Sequence, residues 1–254
     1  MDFFTSDLHL GHANNLRYSK RRDLMLPGDR ELFDEACAHY SSTGDPSRVD
    51  AWKPSPASVE FHDAELIRRI NELVREEDRL WILGDWAMPR NASEGKFRAY
   101  REAIRCRDVR LVFGNHDNRD RTRGLFTATY DAVMVYISPQ GTFAEGELWD
   151  DGERRSWLTD RTWRQATKRV FLSHYCHVVW NQSHKGVYHL YGHAHGNLEP
   201  WRERHMPNAL CMDIGVDCWG YAPLSFERVD AILNEKKGRV PPHVVDHHGA
   251  SAID

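Results

Sequence analysis

The sequence predicts a layered α/β fold, and three observations carry that prediction. Short apolar or β-branched runs recur along the chain, at residues 3–5, 80–83, 109–113, 170–172 and 187–191. Segments with apolar residues at helical spacing lie between several of them, the alternation that covers a sheet with helices. The 254 residues suit one sizeable domain, and length alone does not demand two. The runs share one more property. Each leads directly into Asp, Asn or His, three times with a glycine just before (Gly84-Asp85, Gly114-Asn115, Gly192-His193). A glycine there allows a sharp turn and leaves room for a ligand.

Phe3, Phe4 and Thr5 suit a buried strand. Asp7 and His9 follow two residues apart, so on an extended segment an oxygen and a nitrogen donor face one spot, a usual start for a metal site. The run Arg17-Tyr18-Ser19-Lys20-Arg21-Arg22 puts four bases close by. It reads as a grip for a substrate phosphate or as a solvated face, and the solvated face is favoured. Leu32, Phe33, Ala36 and Tyr40 place a helix over residues 29–40. Residues 41–58, rich in Ser, Pro, Asp and Gly, read as a long loop or lid insertion bordering the substrate cleft. Residues 59–77 form an amphipathic helix that leads into the strand before Gly84-Asp85. Residues 93–104 read as a second crossover helix, capped by Ser93. The next strand ends in Gly114-Asn115-His116-Asp117. Arg119, Arg121 and Arg123 then face either substrate or water.

From Ala132 the pattern shifts toward strands, with candidates at 133–137 and 142–149 around the turn signal Pro139-Gln140-Gly141. Residues 150–169 are polar and show no clear period. Two histidine blocks follow, Ser173-His174 and Gly192-His193-Ala194-His195-Gly196. His189, between Tyr188 and Leu190, reads as a core histidine or a solvent-facing one. Trp180 is expected in the core, with stacking on a base as the alternative. Late strands are expected at 209–216 and 224–226, then a short final helix. The domain spans 1–235 on this reading. Residues 236–254, with Pro241-Pro242 and few apolar residues, form a loose tail whose His243, His247 and His248 have no catalytic role.

Thirty-four bases against 38 acids give a net charge of −4, so there is no overall basic footprint for nucleic acid, although a local one stays open. No apolar run is long enough to span a bilayer, and no signal-peptide pattern follows Met1. Five cysteines, odd in number and without a C-x-x-C spacing, argue against a disulfide scaffold or a cysteine zinc site and fit a reducing, cytoplasmic setting.

Taken in order, D-x-H at Asp7 and His9, G-D at Gly84 and Asp85, G-N-H-D at residues 114–117, the lone His174 and G-H-x-H at residues 192–195 resemble the calcineurin-like metallophosphoesterase superfamily. The resemblance covers residues 1 to about 230. Gly11, His12, Asn14 and the run 173–181 are similar to an uncharacterised branch of it. The resemblance implies an α/β sandwich of two mixed sheets packed face to face, helices outside, with the site where strand ends converge. It implies two divalent ions. Asp7, His9 and His195 would hold one, and Asn115, His174 and His193 the other. Asp85 would bridge them. His193 and His195 would serve neighbouring ions if the chain bends at Ala194. His116 would stabilise the transferring phosphoryl group or protonate the leaving oxygen, and Asp117 would orient His116 or a neighbouring ligand. The implied reaction is hydrolysis of a phosphomonoester or phosphodiester by in-line attack of a hydroxide between the ions. Nitrogen and oxygen ligands without thiolate suit Mn, Fe, Zn or Ni better than Ca, and manganese is expected first. His12, Asn14 and Arg119 are candidate substrate contacts, and a nucleotide is one candidate substrate.

Two departures stand out. Gly84-Asp85 is followed by Trp86-Ala87-Met88-Pro89, without the second Asp many members carry, and Cys176 stands where the similar branch often has Pro. A metal-braced binding module on the same scaffold is the alternative function. An HD-type phosphohydrolase would use His62-Asp63 or His116-Asp117, but that fold is all-helical. Oligomeric state is not legible.

Overall fold

The protein is described by a computed structural model over residues 1–89 and 94–236. Among the described residues, ten strands form two sheets of five. The first has the order β10-β1-β2-β3-β4, built from β1 (Asp2–Thr5), β2 (Arg79–Ile82), β3 (Asp108–Val112), β4 (Ala128–Tyr130) and β10 (Leu224–Ser225). The second has the order β6-β5-β7-β8-β9, built from β5 (Ala132–Ser138), β6 (Gly141–Ala144), β7 (Lys168–Ser173), β8 (Tyr188–Tyr191) and β9 (Cys211–Asp213). β1 to β4 run parallel, as do β7, β8 and β9, while β10, β5 and β6 pair antiparallel. Both sheets are therefore mixed. Ten strands exclude the all-helical HD alternative.

Alternation along the strands builds the layers. Phe4, Trp81 and Val112 of the first sheet join Val133, Val135, Val170, Leu172, Tyr188, Leu190 and Met212 of the second in one buried cluster, so the sheets pack face to face. Phe3, Leu80, Ile82, Val109 and Leu111 point the other way, into a second cluster with Phe33, Leu66, Ile70 and Phe97 of the covering helices. Met134, Tyr136, Tyr191 and Cys211 meet Trp163 and Trp180 on the outer face of the second sheet. Trp180 thus lies in the core, its indole donating to Val187 O at 2.9 Å. His189 is also a core residue, fully buried, with His177 N donating to its Nε2 at 3.1 Å.

Several boundaries differ from the expectations. The helix expected at 29–40 runs Pro27–Thr43, with Gly44 in the left-handed conformation closing it. The hydroxyls of Ser41, Ser42 and Thr43 bond back to the carbonyls of Cys37 and His39, so a Ser-Ser-Thr run continues the helix. Residues 47–51 form a further short helix, Trp52 packs on Phe33 at 4.7 Å, and Arg17 donates to Val49 O and Asp50 O. The expected loop at 41–58 is thus largely helical and pinned. The following helix spans Pro56–Leu73, started by Ser55, whose hydroxyl accepts from Ser58 N. The strand expected at 142–149 stops at Ala144. There Glu147 accepts from Ala144 N at 2.6 Å, and the helix Glu145–Trp149 begins. Residues 150–169 hold two short helices, capped by Asp151 and Asp160. The final helix is Phe226–Lys236. Ser93 as a helix cap and the tail at 237–254 with its three histidines lie outside the described residues. Among the described residues, no helix is long and apolar enough to cross a membrane.

Candidate metal centre

β1, β2 and β3 pair in step, with Thr5 opposite Ile82 and Ile82 opposite Leu111, so their carboxyl ends stop at one level. Asp7, Asp85 and Asn115 follow from those ends. His174 leaves β7, and His193 and His195 leave β8, its parallel neighbour. Hydrogen bonds tie the two sets of ends together. Asp7 N donates to Gly84 O at 3.1 Å, His9 N to Asp85 O at 2.8 Å and Gly192 N to His174 O at 3.0 Å. The His174 ring nitrogen Nδ1 lies 2.8 Å from Leu83 O, and His193 N donates to the Asp7 carboxylate at 2.9 Å.

These ties bring the side chains into two clusters. In each of the sets Asp7, His9, His195 and Asp85, His174, His193, the ligand atoms lie within 4.8 Å of one another. Asp85 Oδ2 sits between the two, 3.6 Å from His9 Nε2 and 3.5 Å from His174 Nε2. Asn115 Oδ1 is 3.1 Å from His174 Nε2, beside the second cluster. His193 and His195 therefore serve different clusters, and the chain does turn between them, with φ of +68° and +47°. Asp7, His9 and Asp85 also have positive φ, a strained backbone for residues with a Cβ. The glycines are needed for closeness as much as for turning. A Cβ on Gly84 would collide with His174 Nδ1, and one on Gly192 with Ser6 Oγ and Asp7 Oδ2.

Whether these residues suit divalent ions is decided by their burial and charge. Neither ring nitrogen of His9 has a hydrogen-bond partner although the side chain is 3 % exposed. Unpartnered buried polar atoms are costly, and a cation on one of them relieves that cost. Burial pushes Asp7 up to about 7, helped by Asp213 and Asp85 and opposed by His195 and His174. A carboxylate so placed fits a site completed by positive charge. Asp85 stays ionised: burial pushes it up, but the hydrogen bond and charge of His174 and the His116 N–H hold it at about 2. Burial pushes His9 down to about 2, which keeps its nitrogens free to ligate. The set fits two hard or borderline divalent ions.

A cavity of about 380 Å³ opens beside the clusters, lined by His9, His12, Asp85, His116, His193 and His195 among others. His116 is exposed to it, its ring 5.4 Å from that of His9. His12 lies on the wall, 5.8 Å from His116. Asn14 is not among the lining residues; the helix Ala13–Tyr18 turns Asn15 to the cavity instead. Arg119 is also absent from the wall. It is exposed, ion-paired with Asp131 and stacked over Phe113 at 4.2 Å. Asp117 accepts from the backbone N–H groups of Asp85, Trp86 and Gly114, so it clamps the loops that carry Asp85 and Asn115 rather than the His116 ring.

Asp217 and Arg21 complete the site without having been foreseen. Asp217 accepts from the fully buried Arg21 guanidinium at 2.8 and 2.7 Å and lies 2.5 Å from His195 Nδ1. Arg21 also donates to Asp7 O and Leu8 O, so it is neither solvated nor a substrate grip. Asp213 accepts from Gly196 N and Gly215 N, steadying the turn after His195. The only sequence signal for Asp217 is a carboxylate close after a late strand, which is too common to single it out.

The chain matches the family described as calcineurin-like phosphoesterase over residues 3–252 and belongs to it. Among curated proteins it is similar to the Gene 66 proteins of two mycobacterial phages. The one from phage L5 is 25 % identical over 254 residues, covering 93 % of this chain and 97 % of that protein. The one from phage D29 is 27 % identical over 237 residues, covering 85 % and 88 %. Among solved structures, the protein of unknown function AQ665 from Aquifex aeolicus superposes with a TM-score of 0.52 at 17 % identity, covering 91 % of this chain and 98 % of that one. That likeness concerns the fold alone.

Proposed function

We propose that the protein is a dinuclear-metal phosphoric ester hydrolase acting on a phosphomonoester or phosphodiester, with manganese as the preferred ion. The placement of Asp85 Oδ2 between His9 and His174 carries this reading, since it is where a shared carboxylate belongs. Asp7, His9 and His195 would hold one ion, and Asn115, His174 and His193 the other. Two divalent ions bound there supply charge neutralisation at the phosphoryl oxygens and a water acidic enough to attack near neutral pH.

The chain's own groups do the rest. The neutral amide of Asn115 limits negative charge beside the second cluster. His116, exposed to the cavity, is placed to hydrogen-bond the transferring phosphoryl group or to hand a proton to the leaving oxygen. Asp117 fixes the loops that carry Asp85 and Asn115. The five free cysteines support a reducing, cytoplasmic setting.

Nitrophenolate release from bis(p-nitrophenyl) phosphate and p-nitrophenyl phosphate, with Mn²⁺, Fe²⁺, Zn²⁺ and Ni²⁺ in turn, tests the proposal. Turnover with at least one ion, abolished in Asp85→Asn, is expected. Metal binding with turnover of neither ester would replace this reading by the metal-braced binding module.

A further inference from the structure

We propose that Lys20 forms a subsite for a second phosphate group of the substrate, beside the phosphate that reacts. The inference rests on the phosphoesterase reading above. It starts from the basic run at residues 17–22, whose four cations the fold treats differently. Arg17 is spent on Val49 O and Asp50 O, Arg21 on Asp217, and Arg22 on Asp34 at 2.5 Å. Lys20 alone lines the cavity that adjoins the two clusters, and among the described residues no carboxylate pairs with it.

The backbone shows that this placement is not the default. The helix Ala13–Tyr18 ends with Lys20 N donating to Arg17 O and Arg21 N donating to Leu16 O. That pair of bonds puts Lys20 in the left-handed position that closes a helix, with φ +51°, where glycine is the low-cost residue. A lysine held there is fixed between two anchored neighbours. Ser19 Oγ lies 3.2 Å from His195 Nδ1 and Arg21 is buried under the same histidine's partner. The ammonium therefore starts from a backbone locked to one metal cluster. An unpaired cation on this wall suits an anionic group bound beyond the reacting phosphate. The same wall carries the exposed ring of Tyr18 and the amides of Asn15 and Asn197, a surface for the moiety joining the two phosphates.

Thymidine 5′-(p-nitrophenyl phosphate) with and without a 3′-phosphate tests the subsite. In both esters water attacks the 5′ phosphorus, the bond to the aryl oxygen breaks and nitrophenolate leaves. The protein is expected to show a KM about tenfold lower for the 3′-phosphorylated ester, as one charge-assisted contact predicts. Lys20→Met should bring the ratio of the two KM values close to one, and Lys20→Arg should keep it. Equal KM values in the unaltered protein together with no Lys20-dependent preference for thymidine 5′-diphosphate, or a preference that Lys20→Met retains, would overturn the proposal. If neither ester is turned over, the phosphoesterase reading fails separately. Calorimetric binding of thymidine 3′,5′-bisphosphate against thymidine 5′-monophosphate to the Mn²⁺-loaded protein then decides Lys20 by the same ratio. Thymidine 5′-diphosphate in place of the bisphosphate distinguishes a polyphosphate chain from a sugar–phosphate backbone as the source of the second phosphate. A Lys20-dependent preference for neither would again overturn the subsite.

Discussion

Asp217 Oδ2 lies 2.5 Å from His195 Nδ1, and the same carboxylate takes two hydrogen bonds from Arg21, whose side chain is wholly buried. The contact assigns the proton of His195 to Nδ1 and leaves Nε2 for an ion. Burial lowers the affinity of His195 for a proton, yet the Asp217 bond and the charge of Asp7 raise its pKa overall. One guanidinium thus reaches His195 through Asp217 and the backbone of Asp7 directly, joining two members of one cluster from different sheets.

Asp217→Asn keeps the shape of that contact and removes its charge. Loss of a carboxylate behind a metal-ligating histidine should weaken Mn²⁺ binding about 10–100-fold. The variant also leaves Arg21 buried without a counter-charge, which should cost about 3 kcal/mol of stability. Titration calorimetry with Mn²⁺ and urea unfolding of the metal-free protein measure the two effects separately. An affinity equal to that of the unaltered protein would show that Asp217 does not tune His195.

His116 is exposed on the cavity wall, as His193 is, but unlike His193 it belongs to neither cluster of candidate ligands. His116→Asn should lower kcat on nitrophenyl esters about 10²–10⁴-fold, the usual range for a lost proton donor or acceptor. Metal stoichiometry and melting temperature should stay as they were. A fall in bound metal instead would make His116 a ligand.

The candidate ligands are legible in the sequence because each lies within four residues of a strand end, so an apolar run and a donor appear close together, three times with a glycine between. The glycines at 84 and 192 signal turns with room for a ligand; packing adds that a Cβ there would strike His174 or Asp7. Arg21 and Asp217 were not legible, since they lie 196 residues apart and only the fold pairs them. Asn14 is a candidate because a motif is read by position, whereas the helix starting at Ala13 turns the buried Asn15 to the cavity. Residues 41–58 depart from the loop their composition suggests because the hydroxyls of Ser41 and Thr43 close onto the preceding turn and continue the helix.

Gly84→Ala should be severe for a reason separate from chemistry. The position has φ +90°, and the added methyl would meet His174 and, at 2.7 Å, the Gly114 backbone. The strained conformation alone costs about 1–3 kcal/mol, and moving His174 or Gly114 adds to it. Thermal unfolding should shift downward, and Mn²⁺ binding should weaken even where the variant is folded. Unchanged binding in a folded variant would mean that the two strand ends are less closely fitted than these distances require.

His189 contributes stability that is lost on mild acidification, against the opposite contribution of Asp7, whose raised pKa lets the folded metal-free chain take up a proton that the unfolded chain does not. The Nδ1 of His189 lies 3.1 Å from Phe171 O and its Nε2 accepts from His177 N at 3.1 Å, so the neutral ring satisfies both nitrogens. Protonating Nε2 would turn that acceptor into a donor facing another donor. Burial lowers its pKa to about 4, with the nearby charge of His177 acting in the same direction and the Phe171 bond opposing it. Between about pH 6.5 and 4 the unfolded chain therefore binds a proton at His189 that the folded chain refuses, so this contribution to stability declines as pH falls through that window. The full shift corresponds to about 3 kcal/mol, present above the unfolded value near 6.5 and lost by about pH 4. His62, also lowered chiefly by burial, adds to the same slope. Urea unfolding of the metal-free protein and of His189→Gln at intervals from pH 7.5 to 4.5 should show the His189 contribution as a difference between the two proteins, largest near pH 7 and shrinking as pH falls. A difference in stability between the two proteins that does not change with pH would show that His189 does not titrate in this way.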